Sequence, residues 1–207
     1  PGGRLEPLGQ AHRPEREAVT CAWPSGVGTV RNISVYCGAS AGNDPVYAET
    51  TRALGQAMAS RGLGLVYGAG NIGLMGVLAD AVLAEGGRAV GVIPQKLVDR
   101  ELAHQGLAKL HVVATMHERK EKMHELCDAY IALPGGIGTM EEFFEAVTWR
   151  QLGYHNKPIA VLNIGGFYDG IESFFATMQR DGFLHSDHRD LFFMETNAAR
   201  LLDRLAD

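Results

Sequence analysis

From Asn32 onward, short apolar runs alternate with stretches of helical period, and this alternation leaves few folds open. The runs are 32–37 (NISVYC), 63–67 (LGLVY), 88–93 (RAVGVI), 110–113 (LHVV), 128–133 (DAYIAL) and 158–162 (PIAVL). Each is short enough for a strand, and apolar without strict alternation, as strands covered on both faces are. Helical stretches fall between them at roughly 44–61, 73–85, 115–127, 138–151 and 168–181. A short apolar run at 191–193 and a helix near 197–205 close the sequence. Strand alternating with helix predicts an α/β protein with a central parallel sheet flanked by helices and right-handed crossovers. Ligands of such sheets bind beyond the carboxyl ends of the strands.

Residues 1–30 break the pattern: Gly, Pro, Arg and Glu mix there with little periodicity, which reads as an arm or tail. A start at Pro1 rather than methionine reads as a trimmed or processed chain. Residues 31–207 read as a single domain, since 207 residues can enclose one sizeable core. The net charge of −5 argues against nucleic acid or an anionic membrane as a partner held by bulk charge. A small phosphorylated ligand is compatible with it, because that needs only a local positive field. Cys21, Cys37 and Cys127 are odd in number and lack CxxC spacing, which disfavours a disulfide framework or a zinc site. Reduced thiols, with no apolar run near the roughly 18 residues of a membrane span, point to the cytoplasm.

Three glycine-bearing turns follow the strands, at 38–42, 68–76 and 135–138. The second holds Gly68-x-Gly70-x-x-Gly73 between a strand and a helix, the context of a dinucleotide fingerprint. A dinucleotide site also needs an acidic residue at the end of the next strand to hold the ribose. That strand ends Val92-Ile93-Pro94-Gln95, with Glu85 before it and Asp99 and Glu101 well after it. The absence disfavours NAD or FAD and leaves a mononucleotide, a sugar phosphate or a simple tight turn.

The third turn, Pro134-Gly135-Gly136-Ile137-Gly138, opens a helix whose N–H groups suit an anion. Two glutamates follow at once. With Thr139 as N-cap, Glu142 falls at N3 of a T-x-x-E capping box and Glu141 is a solvated charge at N2. The alternative is that Glu142 faces something other than the phosphate.

Just upstream, MHERKEKMHELC at 116–127 reads as a helix. At 100° per residue, Met116, Met123 and Cys127 fall within about 20° of one line, flanked by Arg119 and Lys120 at about −60° and +40°. Both cations therefore belong to the inward half. They either snorkel or enter a polar cleft and bind an anion there. HExxH and GxxxxGK[ST] are absent from the sequence, which removes zinc-protease and Walker-type readings. Lys120 as a Schiff-base lysine for pyridoxal phosphate lacks any supporting neighbour signal.

The segments VYCGAS, RGLGLVYGAGNIGLMG, GVIPQKL, MHERK, DAYIALPGGIGTMEE, TWRQLGYHNKPIAVLN and GFYDG together resemble the LONELY GUY (LOG) family of cytokinin riboside 5′-monophosphate phosphoribohydrolases, over roughly residues 32–185. Its members were long labelled possible lysine decarboxylases. PGG-x-GT-x-x-E preceded by MH-x-RK is the specific part. YGAG stands where many members have YGGG, and Ile137 often is Tyr. The resemblance implies a Rossmann-like fold and a homodimer, or a higher oligomer built on it. It implies Arg119 and Glu142 as the catalytic pair, with Glu101, Lys120, Gly135, Gly136, Ile137, Gly138, Thr139, Met140 and Thr148 around the nucleotide; Gly70 and Gly73 of the earlier glycine loop join that set. The implied reaction is hydrolysis of the N-glycosidic bond of AMP or an N6-modified AMP such as N6-isopentenyl-AMP, with no metal or other cofactor. Two alternatives stand beside it: a non-catalytic carrier of a nucleotide or of the molybdenum cofactor, and a nucleosidase of general purine salvage.

Overall fold

A computed structural model describes residues 29–98, 103–104, 106–185 and 190–206. Of the expected arm, all but residues 29 and 30 lies outside the described residues. Seven strands form one all-parallel sheet: β1 (Asn32–Tyr36), β2 (Gly64–Tyr67), β3 (Ala89–Pro94), β4 (Lys109–Val113), β5 (Ala129–Ala132), β6 (Ile159–Leu162) and β7 (Phe193–Glu195). The helices are α1 (Pro45–Ser60), α2 (Gly73–Ala84), the single turn α3 (Gln95–Val98), α4 (Met116–Leu126), α5 (Ile137–Gln151), α6 (Asp169–Arg180) and α7 (Ala198–Ala206). The parallel α/β architecture is the one the alternation predicts. Two details differ: α3 has no counterpart in the expected elements, and the 191–193 run contributes only Phe193 to β7, whose ladder begins at Ala160↔Phe193.

The period of two sorts β1 between two cores. Ile33, Val35 and Cys37 pack into a cluster with α1, α2 and α7, while Tyr36 packs on the opposite face with α4 and α5. Along α5 the buried face is Phe143, Ala146 and Val147, a helical spacing. Truncating Phe143 to Ala therefore costs about 3–5 kcal/mol, the range for a buried aromatic ring.

The strand order is β4-β3-β2-β1-β5-β6-β7. The chain builds outward in one direction from β1 to β4, then returns and builds the other way from β5. The neighbours β1 and β5 mark the switch point, the place where loops on the two sides diverge and leave a crevice at the strand ends. Their register, Ile33↔Ala129 through Tyr36↔Ala132, brings the Gly38 and Pro134 turns side by side, with the Gly38 N–H donating to the Pro134 carbonyl at 3.0 Å.

Candidate active site

Two adjoining clefts open at this switch point. One, of about 380 Å³, is bounded by the 38–42 turn, Tyr47, Phe167 and Gly135–Gly136, and is mainly apolar. The other, of about 250 Å³, holds Arg119, Glu141, Glu142, Thr139, Gly136 and Gly138, with Tyr36, Cys37, Gly68 and three methionines, Met75, Met116 and Met123. They share Ala39 and Gly136. Charged groups converge in the smaller cleft.

Arg119 is only 8% exposed. Its Nη2 donates to the Gly68 carbonyl at 3.3 Å and its Nη1 to the Met116 sulfur at 3.8 Å. Its Nε is buried and has no protein partner among the described residues. An unmatched donor on a buried cation favours an incoming acceptor. Glycine at 68 makes the seat possible: a Cβ there would lie 1.9 Å from Nη2. The 68–76 glycine loop thus serves the arginine. Gly73, at φ +60, lets the loop meet the Ala39–Ser40 backbone, where a Cβ would fall 2.3–2.5 Å from backbone atoms. Gly70 forms a bridge with Ala103. Neither Gly70 nor Gly73 lines the two clefts.

Glu142 is partly buried on α5 and lines the same cleft as Arg119. Burial pushes its carboxyl up to about 7, opposed by Arg119 and Lys120 and reinforced by Glu141 and Glu145. The expected capping box is not what holds it. The N-cap of α5 is Gly136, with no side-chain cap bond, so Thr139 occupies N3 and Glu142 lies beyond the first turn. The T-x-x-E box belongs to α4 instead. Thr115 caps that helix, its Oγ1 accepting from the Glu118 N–H at 3.1 Å, while Glu118 Oε2 accepts from the Ala114 N–H at 2.9 Å.

Lys120 is inward-facing, as the helical angles require, and 6% exposed. Its Nζ donates to Glu141 at 2.5 Å and Glu145 at 2.6 Å. Glu141 is therefore not a merely solvated charge, because α4 presents a lysine to it. Burial works against the charged ammonium, but these two bonds outweigh it and hold the lysine above its ordinary value. A lysine held protonated is a poor Schiff-base former.

Of the other expected site residues, Gly135 lines the larger cleft, Gly136 both, and Gly138 and Thr139 the smaller. Ile137 is 90% exposed at the start of α5, Met140 packs partly into the core beneath, and Thr148 is exposed on the same helix. Glu101 lies outside the described residues. Sequence reasoning missed Glu145, Gly68 as a seat, and Tyr36, Cys37 and Met75. Strand-end position signals Tyr36 and Cys37, and the i, i+4 spacing of Glu141 and Glu145 signals the lysine clamp.

A family profile described as "Possible lysine decarboxylase" matches residues 75–205. A probable cytokinin riboside 5′-monophosphate phosphoribohydrolase of Oryza sativa subsp. japonica, LOGL1, is 41% identical over 191 residues, covering 92% of this chain and 86% of that protein. The cytokinin riboside 5′-monophosphate phosphoribohydrolase LOG1 of Arabidopsis thaliana is 42% identical over 177 residues, 86% of this chain and 83% of its own. The chain belongs to the LOG family. Among solved structures, the LOG-family chain resembles the molybdenum cofactor binding protein of Rippkaea orientalis (TM-score 0.65, 18% identity, 84% of this chain and 94% of that one). It resembles the molybdenum cofactor carrier protein of Chlamydomonas reinhardtii equally (TM-score 0.65, 18% identity, 84% and 97%). Identity that low speaks for a shared fold alone. No cluster of His, Cys, Asp and Glu suited to a metal occurs among the described residues of this LOG-family chain, and no described helix is long and apolar enough to cross a membrane.

Proposed function

We propose that the chain hydrolyses the N-glycosidic bond of AMP or an N6-modified AMP, releasing the free base and ribose 5-phosphate. One observation carries this reading: Arg119 and Glu142 line a single cleft at the switch point, beside a helix N-terminus that no side chain caps. The relatives that are 41–42% identical are named phosphoribohydrolases of cytokinin riboside 5′-monophosphates. In this reading the N–H groups of Ile137, Gly138 and Thr139, with the positive end of the α5 dipole, hold the 5′-phosphate. Binding energy remote from the reacting carbon then positions the ribose. As the C1′–N9 bond breaks, its electron pair leaves with the base and positive charge grows on the ribose ring. Glu142 stabilises that cation and takes a proton from the water whose oxygen bonds to C1′. That proton replaces the lost bond on the departing base, so the step balances without a cofactor. Arg119 favours the ionised form of Glu142 against the effect of burial and aligns the carboxylate.

Incubation with AMP and with N6-isopentenyl-AMP, followed by quantification of free base and ribose 5-phosphate, tests the reading. Release from at least one nucleotide is expected; folded protein that releases base from neither overturns it.

Residues 31–207 act as the catalytic unit in this reading, in a cytoplasmic homodimer. Support for association comes from large apolar side chains left exposed around the ends of α5 and α6: Leu152 (65%), Tyr154 (76%) and Phe183 (86%). Cys37 and Cys127, both buried and free, suit a reducing compartment. Light scattering should give twice the mass of one chain; a monomer at assay concentration counts against the dimer.

A further inference from the structure

The two adjacent cations of α4 point in different directions. Arg119 enters the catalytic cleft, whereas Lys120 is not part of its lining and turns to α5. There its ammonium sits between two carboxylates one helical turn apart, Glu141 at 2.5 Å and Glu145 at 2.6 Å. The lysine side chain is 7% exposed, and Glu145 is 24% exposed. A buried cation with two of its three donors held by carboxylates has little left for a phosphate.

We propose that Lys120 is a positioning residue rather than a nucleotide ligand. Its bridge to Glu141 and Glu145 fixes α4 against α5, holding the wall that carries Arg119 at the separation Glu142 requires, and it shields Glu142 from the two neighbouring carboxylates. This deepens the hydrolase reading and rests on it.

The geometry supports both parts. Glu141, Glu142 and Glu145 lie within five consecutive positions of α5, so without a partner they place three negative charges on adjoining faces of one helix. Lys120 is their only ion-pair partner among the described residues. The groups that face Glu142 are Arg119 and Lys120 from α4, Glu141 and Glu145 from its own helix, and the Tyr36 phenol and Cys37 thiol at the end of β1. The phenol and thiol are both pushed well above their ordinary values by burial and remain neutral at physiological pH. The charge balance at Glu142 is therefore set by two cations against two anions. Removing Lys120 tips it toward protonation; removing Glu141 and Glu145 tips it the other way.

The test compares wild type, Lys120→Met, Lys120→Arg and the double variant Glu141→Gln/Glu145→Gln. Base release is followed across pH, AMP and inorganic phosphate binding by calorimetry, and folding by thermal melting. For Lys120→Met the acid limb of kcat/KM is expected to move up by about one pH unit, cutting turnover about fivefold at pH 7, with AMP and phosphate affinity within about twofold of wild type. The double variant moves the acid limb down, and Lys120→Arg restores most of the rate. A tenfold or greater loss of phosphate and AMP affinity in Lys120→Met, with the acid limb unmoved, overturns the proposal and makes Lys120 a phosphate ligand. If Lys120→Met does not fold, the double variant and Lys120→Arg decide by the same two readouts. Wild type that binds AMP but releases no base defeats the hydrolase reading instead, and the affinity comparison still judges Lys120.

Discussion

The helices α4 and α5 face each other across the cleft, yet their N-termini are finished in opposite ways. At α4 side chains close the end: Thr115 and Glu118 take up the Glu118 and Ala114 N–H groups. At α5 the N-cap is Gly136, which makes no side-chain cap bond, and among the described residues no side chain accepts from the first turn. A cap contributes about 1 kcal/mol, so an uncapped terminus beside a charged cleft costs the helix some stability and is what the proposed phosphate site requires. In the proposed reading the contrast is a division of roles: α4 is fastened so that its arginine stays put, and α5 is left open so that a ligand can finish it.

The contrast can be broken most severely at Glu142. Glu142→Gln removes the charge that α5 contributes, and turnover should fall about a thousandfold, while AMP affinity by calorimetry stays near wild type. Turnover within tenfold of wild type would remove Glu142 from the chemistry. A second intervention makes α5 resemble α4. A Cβ at Gly136 meets nothing within 4 Å, so Gly136→Asp fits and supplies the missing cap. Its carboxylate competes for the N–H groups meant for phosphate, and KM should rise about ten- to hundredfold with the melting temperature unchanged or higher. An unchanged KM would show that phosphate binds elsewhere.

The third test reads the same helix through stability. The Glu142 carboxyl titrates at about 7 in the fold and near 4.5 when free. Below pH 4.5 both states are protonated and the residue contributes nothing. Between 4.5 and 7 the folded state holds the extra proton, so stability declines as pH rises, and above 7 the full cost of a buried charge is present. Glu142→Gln should therefore stabilise the protein at pH 8 by about 3 kcal/mol and leave it nearly unchanged at pH 4.5, as denaturant titrations at both values can determine. A loss at pH 8 would mean that contacts of Glu142 outweigh the cost of its buried charge. The smallest effect belongs to α4: Thr115→Ala opens its cap and should cost about 1 kcal/mol in the same titration with KM unaltered. A shift in KM as large as that of Gly136→Asp would erase the distinction between the two termini.

Most of the fold was legible because buried parallel strands and helices leave opposite periodicities, and each apolar run from 32 to 162 became a strand. The one-turn α3 left no such trace, being too short to show a period. Arg119 and Lys120 were legible as inward-facing, since helical angle alone decides that. Their separate fates were not, because a 100° step between neighbours places them against different elements and only the packing of α4 on α5 names those elements. The capping box was misplaced for a related reason. Both Thr115-x-x-Glu118 and Thr139-x-x-Glu142 satisfy the pattern, and the choice depends on where each helix begins. The glycines of 135–138 let α5 start at Ile137, ahead of the threonine.

Gly68 and Arg119 are 51 positions apart, and the space a side chain at 68 would fill is occupied by the guanidinium. The two positions are thereby bound to a common history. A methyl group at 68 would displace the guanidinium from this seat, so drift at either site should be accompanied by change at the other. Chains of this fold that have given up the arginine should be the ones in which residue 68 is free to vary.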